Sequence, residues 1–210
     1  MILVLLSAAA GAVAGAASRR LVVAETGASA SAPLLALTTG ALTAAAAGRF
    51  GLAWDLPAYL YFAVVSVPLA VIDLRTLRLP NMLTLSAYPI VAVLLLLPAV
   101  ADGSWEAYLR AWLAGAAVLS LFIVLHLVNP SGMGLGDVKL AGPMGALLGW
   151  LSWQAAMVGV VVGFVLVAVV GIALILARRA DRKSALPFGP FMLVGAWVAI
   201  LAEPLGRAGA

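Results

Sequence analysis

The stretch QAAMVGVVVGFVLVAVVGIALILA, residues 154–177, contains no charged side chain. A helix that crosses a bilayer needs about 20 consecutive apolar residues, so this stretch predicts a transmembrane helix. The whole chain is similar in character, since 65% of its 210 residues are hydrophobic and 10% are charged. An ordinary soluble domain carries about a quarter charged residues. The sequence therefore predicts an all-α protein that crosses a membrane several times.

Seven further apolar segments are candidates for transmembrane helices, and the breaks between segments carry most of the charges and prolines. The eight segments are 2–18, 33–48, 57–73, 81–99, 110–128, 138–152, 154–177 and 187–204. We predict a polytopic helical bundle of about eight transmembrane helices, forming a single membrane-embedded domain over residues 1–210. The second and sixth segments are short, so a seven-helix bundle is the alternative. A secretory signal has its positive charge before the apolar run, whereas Arg19 and Arg20 follow segment 2–18, so we expect a retained helix there.

The basic residues are distributed unevenly between the two sides of the membrane. Cytoplasmic loops are enriched in Lys and Arg. With the N-terminus outside, nine basic residues fall on the cytoplasmic side and three outside. The cytoplasmic set is Arg19, Arg20, Arg75, Arg78, Lys139, Arg178, Arg179, Arg182 and Lys183, and the outer set is Arg49, Arg110 and Arg207. We therefore predict that both termini lie outside and that the protein resides in the plasma membrane.

Several classes of function are disfavoured by composition. The chain has no cysteine, so it has no disulfide, thiol nucleophile, Cys-ligated zinc or iron–sulfur cluster. The net charge of +4 is too small to indicate a nucleic-acid partner. The single histidine, His126, lies in an apolar helix and is expected to be packed or hydrogen-bonded, rather than part of a Ser/His hydrolase site. We predict no cofactor and no metal, although a divalent ion held between two aspartates stays open as an alternative.

The predicted topology leaves two acids in unusual places. Asp55, Asp102, Glu106 and Glu203 are expected to be solvated charges in outer loops, and Glu25 and Asp181 lie in polar cytoplasmic loops beside arginines. Asp73 and Asp137 instead lie at the cytoplasmic boundary, each next to an apolar helix. Because burying a charge there is costly, an ionisable residue at such a position is a functional hypothesis by default.

The surroundings of both acids support that hypothesis. In NPSGMGLGDVKL, residues 129–140, Gly134 and Gly136 remove side chains around Asp137 and let another backbone approach. Asp137 also precedes a predicted helix, whose N-terminus favours an anion. After Asp73, a short basic loop leads to Pro80 and Asn81, where Pro suits the first turn of the next helix.

Two facing carboxyl groups in a site of reduced polarity do not ionise together easily, so one keeps its proton while the other acts as a base. Such a pair can activate water and protonate a leaving amine, which allows peptide hydrolysis without a metal. Periodicity alone does not bring the two acids together. The alternative is a structural acid and a salt bridge, such as Asp137 with Lys139 or Asp73 with Arg75.

Three segments resemble the type IV prepilin peptidases: GMGLGDVKL, which contains the Gly-x-Gly-Asp motif of membrane aspartyl proteases, IDLRTLRLPNMLT at 72–84 and LPFGPFML at 186–193. The resemblance spans about residues 57–204. It implies that Asp73 and Asp137 are the catalytic pair, that Gly134 and Gly136 shape the loop, and that Lys139, Pro80 and Asn81 match motif positions. It also implies a prepilin-like membrane protein as substrate, cut at the cytoplasmic face of the bilayer.

One part of the sequence departs from the larger members of that family. Those members carry a cytoplasmic domain with paired Cys-x-x-Cys motifs after the first helix and also methylate the product. Here the equivalent loop runs only from about Arg19 to Ala32, and the chain has no cysteine. The resemblance is therefore to the short, peptidase-only form found with Tad/Flp-type pili, and we expect no N-methylation by this chain.

Two questions stay open at this point. Pro187, Gly189 and Pro190 are predicted to keep the entry to the last helix irregular and to shape a substrate groove; the alternative is an ordinary helix start with Pro in its first turn. The main rival function is a proton-coupled transporter that uses Asp73 and Asp137 as a relay. Such a relay would place carboxylates near the bilayer midplane, whereas both acids are predicted at one side.

The topology can be tested directly, because the native chain offers no cysteine background. Cells expressing Ser104→Cys are expected to react with an impermeant thiol reagent, and cells expressing Ser184→Cys are expected to be protected until the membrane is permeabilised. The opposite labelling pattern would reject the proposed orientation.

Overall fold

The computed structural model describes residues 1–130, 132–178 and 186–204, and these form eight α-helices and no strand. The helices are α1 Ile2–Thr26, α2 Ala32–Phe50, α3 Leu56–Thr76, α4 Asn81–Ala101, α5 Trp105–Val128, α6 Leu135–Leu151, α7 Trp153–Leu176 and α8 Gly189–Ala202. The predicted all-α bundle is thus confirmed, and each of the eight predicted segments corresponds to one helix.

Five of these helices, α1, α3, α4, α5 and α7, are long and apolar enough to cross a membrane. The shorter helices α6 and α8 have 17 and 14 residues. Large apolar side chains cover the outside of the bundle; on α7, for example, Val161, Val165 and Val169 are all more than half exposed. Such a surface is stable in lipid and not in water, so the fold is that of an integral membrane protein.

Helix α6 lies at the centre of the bundle, where it packs against α4, α5, α7 and α8. Fourteen of its 17 residues are buried. Its contact with α5 is close because of glycines: a Cβ added at Gly145 would lie 2.9 Å from the Cβ of Val118, and one added at Gly149 would overlap Ala114. Close approach through small residues is how helices pack in lipid, where burial of apolar area provides little driving force.

Two arginines bind free carbonyl groups at helix C-termini, one at the end of α6 and one at the end of α8. Arg110 of α5 donates to the carbonyls of Gly149 and Trp150 at 2.9 and 2.7 Å. A helix end leaves four carbonyls without an intrahelical partner, so these bonds allow α6 to end inside the protein. Arg49 of α2 does the same at the end of α8, donating to the carbonyl of Glu203 at 3.0 Å.

The prediction that Asp55 is a solvated loop charge is wrong. Asp55 immediately precedes α3 and is only 5% exposed. Its carboxylate faces α6, where the indole Nε1 of Trp150 donates to Oδ2 at 3.3 Å. Asp55 lies between two predicted helices but is still buried, because the start of α3 packs against the end of α6.

The basic run RRADRKS at 178–184 is described only at its first residue, Arg178. The rest of that run, including Asp181 and Ser184, lies outside the described residues, as does Arg207.

Candidate active site

Asp73 lies in the last turn of α3 and is 3% exposed. The helix ends shortly afterwards at Leu77, which adopts a left-handed conformation with φ of 53° and donates its N–H to the Asp73 carbonyl at 2.9 Å. The side chain of Asp73 is held from a distant part of the chain, because the Gly189 N–H at the start of α8 donates to Oδ2 at 3.0 Å. The buried carboxylate thus receives a main-chain hydrogen bond that partly offsets its burial.

Asp137 lies in the first turn of α6 and is 6% exposed. Its Oδ2 accepts the N–H of Gly134 at 3.2 Å, which satisfies one of the donors that a helix start leaves free. Its Oδ1 is buried and has no hydrogen-bond partner among the described residues. Asp137 thus lies at a helix N-terminus, as the sequence predicted, and the free N–H groups there favour a negative charge.

The two carboxyl groups line one cavity of about 190 Å³. The remaining walls come from Leu77, Pro130, Gly132, Gly134, Leu186, Pro187 and Phe188. Three parts of the chain that are far apart in sequence therefore meet at this cavity: the end of α3, the loop that leads into the start of α6, and the entry to α8.

Lys139 and Arg75 were considered as salt-bridge partners of Asp137 and Asp73, but their hydrogen bonds go to other groups. Lys139 donates to the side-chain Oδ1 of Asn81 at 2.8 Å. Arg75 donates to the carbonyl of Ser29 at 3.0 Å. Both cations are thus engaged with other groups, and the two acids lie together at the cavity.

Gly136 brings the segment between α3 and α4 against the start of α6. A Cβ at Gly136 would lie 2.8 Å from the Cβ and 3.1 Å from the backbone nitrogen of Leu79. The Lys139–Asn81 hydrogen bond joins the starts of α6 and α4 beside this contact, and Pro80 directly precedes α4. Gly136, Lys139, Pro80 and Asn81 thus surround the site rather than line its cavity, and their loop-shaping role stays a prediction.

The segment LPFGPF combines both features that were considered for it. Helix α8 begins at Gly189 with Pro190 in its first turn, as the helix-start alternative predicts. Leu186, Pro187 and Phe188 precede the helix and line the cavity of the two acids. Pro190 lies on another side, in an apolar groove between α2, α3 and α8.

Sequence reasoning did not identify the partners that hold the site. Gly189 was selected for its small size, but its N–H is the group that binds Asp73. His126, at the end of α5, forms a hydrogen bond between Nδ1 and the carbonyl oxygen of Met133 at 2.8 Å. His126 is thus hydrogen-bonded, as expected. In the sequence, its nearness to the segment 129–140, which begins three residues later, was the one feature that connected it with Asp137.

The chain is similar to proteins named prepilin leader peptidase/N-methyltransferase. It is 33% identical over 176 residues to the protein of Aeromonas hydrophila, a match that covers 80% of this chain and 57% of the relative. It is 30% identical over 176 residues to that of Stutzerimonas stutzeri, with the same coverage. With the protein of Burkholderia pseudomallei (strain K96243) it shares 32% identity over 169 residues, covering 78% of this chain and 52% of the relative.

The chain spans just over half the length of the curated relatives it matches. No solved structure matches it significantly. The model of the type IV leader peptidase family matches residues 60–176, a range that includes Asp73 and Asp137 and exceeds half of the sequence. On these grounds, this chain belongs to the type IV leader peptidase family.

Proposed function

We propose that this chain is an aspartic endopeptidase that removes the leader peptide from type IV prepilin-like precursors, including those of Flp/Tad pili, with Asp73 and Asp137 as its catalytic residues. The observation that carries the proposal is the pair of buried carboxyl groups at one cavity, provided by two separate helices. Membership of the family supports the reaction, and the names of the relatives support the class of substrate.

The chemistry follows from two carboxyl groups that share one proton. The ionised group takes a proton from water as the water oxygen attacks the carbonyl carbon of the peptide bond. The protonated group gives its proton to the carbonyl oxygen, forming a tetrahedral diol. When the diol collapses, the C–N bond breaks and the amine nitrogen takes the proton that the first group had received. At the same time one hydroxyl of the diol returns its proton to the second group and becomes the C=O of the new carboxyl product. The pair ends with one proton, as it began, and no other co-reactant is consumed.

The fixed oxygens suit this role. In each acid, Oδ2 is bound by a glycine N–H, at 3.0 Å for Asp73 and 3.2 Å for Asp137. A carboxylate anchored through one oxygen keeps its orientation while the other oxygen exchanges protons. Positioning of this kind provides a large part of enzymatic rate enhancement, because reacting groups are already aligned when the substrate binds.

The walls of the cavity suit an extended peptide. Gly132 and Gly134 are exposed and present no side chain, and Pro187 has no backbone N–H that would need a partner. A substrate backbone can therefore approach closely and bond to main-chain groups, as a strand does at an open edge. This is the sense in which Pro187 and Gly134 contribute to a substrate groove, whereas Gly189 acts through its N–H on Asp73.

The cytoplasmic location of the site is supported by charge. Arg75, Arg78 and Lys139 follow the two acids closely in sequence, and Arg19 and Arg20 lie in the last two turns of α1. These residues belong to the Lys/Arg-rich side of the chain, which in multispanning proteins is cytoplasmic. We assign the active site to the cytoplasmic face of the plasma membrane, with the bilayer and a prepilin-like protein as partners.

The proposal does not include methylation. Between α1 and α2 the chain has only the five residues Gly27–Ser31, which is too short for a domain, and it has no cysteine. The N-methyltransferase part of the relatives' names belongs to proteins that are longer than this chain.

Replacing either acid is expected to abolish cleavage. Asp73→Asn and Asp137→Asn should each lower the rate of leader removal from a co-expressed prepilin by at least about 100-fold, because proton transfer by a positioned group contributes that much. Cleavage would be measured by the mobility shift of the pilin and normalised to folded enzyme in the membrane. Asp102→Asn, at an exposed position after α4, is the matched control and should cleave normally. Normal cleavage by Asp137→Asn would reject the proposed pair.

Gly189→Ala tests the bond that holds Asp73. A Cβ there would lie 2.8 Å from Asp73 Oδ2, so the carboxylate must move, and Gly189 is not one of the glycines with positive φ, so its backbone accepts alanine. We expect cleavage per folded molecule to fall by roughly 10- to 100-fold, the effect of misplacing a catalytic group by about 1 Å. Gly48→Ala, in α2 with open space around its Cβ, is the control. Equal specific activity in both variants would show that Gly189 does not position the site.

The absence of methylation is tested by mass spectrometry of pilin processed by this chain alone. The mature N-terminus is expected to be a free, unmodified amine. A mass increase of one methyl group, in a host with no other prepilin peptidase, would show that the chain itself methylates.

A further inference from the structure

The single histidine of the chain lies at the end of α5, outside the cavity that holds the two acids. Its Nδ1 is 2.8 Å from the carbonyl oxygen of Met133. A carbonyl oxygen can only accept a hydrogen bond, so Nδ1 must carry the proton and donate it. The bond therefore fixes His126 in the Nδ1–H form whenever the ring is neutral, with Nε2 unprotonated.

The Met133 carbonyl belongs to the same peptide group as the Gly134 N–H. That N–H donates to Oδ2 of Asp137 at 3.2 Å. Because a peptide group is planar, fixing its carbonyl also fixes the direction of its N–H. His126 and Asp137 are thus bound to opposite edges of one rigid unit, and each bond polarises the peptide in the direction that strengthens the other.

The surrounding loop explains why an external anchor is useful. Glycines occupy positions 132, 134 and 136, and glycine restricts the backbone less than any other residue. Without a further contact, the peptide between Met133 and Gly134 could rotate and carry its N–H away from Asp137. Met133 is 8% exposed and Asp137 is 6% exposed, so one partner of each bond is buried, whereas Gly134 itself is exposed.

We propose that His126 is a positioning residue for Asp137, acting through the Met133–Gly134 peptide group. His126 does not touch the reacting atoms. It holds the peptide so that its N–H binds Oδ2, which leaves Oδ1 as the oxygen of Asp137 without a partner among the described residues. This inference rests on the proposed peptidase function, since it assigns a role in the same site.

Two substitutions distinguish the hydrogen bond that His126 donates from the space that its side chain fills. In His126→Asn, the side-chain amide nitrogen lies the same number of bonds from Cα as Nδ1, so it can donate to Met133. In His126→Leu, the volume is largely kept and the donor is lost. We expect His126→Leu to lower kcat by roughly 10- to 100-fold with KM changed less than about threefold, and His126→Asn to recover most of kcat.

Kinetics would be measured on purified enzyme in detergent with a synthetic prepilin, alongside wild type and Asp137→Asn. If wild type and Asp137→Asn are equally active or equally inactive, the proposed function fails. If wild type is active and His126→Leu keeps its kcat, or if His126→Asn is as impaired as His126→Leu, the positioning role is refuted while the proposed function stands.

A second measurement does not depend on whether the variants fold. Because the chain has one histidine, labelling with ¹⁵N-histidine gives the two nitrogen signals of a single ring. At a pH where the ring is neutral, the wild-type enzyme is expected to show a protonated Nδ1 and an unprotonated Nε2. The opposite tautomer would show that His126 does not donate to Met133, and would overturn the inference.

Discussion

The hydrogen bond from the Gly189 N–H to Asp73 joins two parts of the chain that are 116 positions apart. It links the last turn of α3 to the first residue of α8, and the start of α6, which carries Asp137, lies at the same cavity. A carboxylate that is 3% exposed is costly unless it is hydrogen-bonded, so the arrangement of α3 and α8 and the presence of the acid depend on each other. The rest of the site is built around that bond.

Main-chain groups rather than side chains hold both acids. A glycine donor has the advantage that nothing stands beside its N–H: a Cβ at Gly189 would lie 2.8 Å from Asp73 Oδ2, and one at Gly134 would lie 3.2 Å from Asp137 Oδ2. Neutral backbone donors stabilise a carboxylate without adding a compensating cation to the cavity. Lys139 and Arg75, the nearest cations in sequence, bind Asn81 and the Ser29 carbonyl instead.

Sequence reasoning predicted the helices well because lipid imposes a long apolar run on each of them. Its errors lie at helix ends. The fifth helix was expected from residue 110 but begins at Trp105, because Glu106 was assigned to an outer loop and Arg110 to the outer end of the segment. Arg110 is in fact inside the helix, where it binds the carbonyls at the end of α6. Asp55 was assigned to solvent for the same reason, since a one-dimensional pattern does not show which loop is covered by another helix.

For the candidate site, the sequence singled out the two acids that line the cavity, but not the groups that hydrogen-bond to them. Asp73 and Asp137 stand out because an acid beside an apolar helix is unusual. The bonds from Gly189 and His126 involve a backbone N–H and a backbone carbonyl, and every residue except proline has both of these groups, so no residue type signals such bonds. They become visible only when segments far apart in sequence are placed together.

The enclosure of α6 also has a consequence for the synthesis of the protein. This helix has 17 residues, of which 14 are buried, and it starts with a carboxylate in its first turn. On its own in lipid it would be short and would expose Asp137 together with the carbonyls that Arg110 binds. Helix α5 is made immediately before α6 and provides both the close packing surface around Gly145 and Gly149 and the arginine that binds the end of α6. We therefore expect α5 and α6 to enter the bilayer together as a helical hairpin, in which α5 covers the polar groups of the helix that carries Asp137.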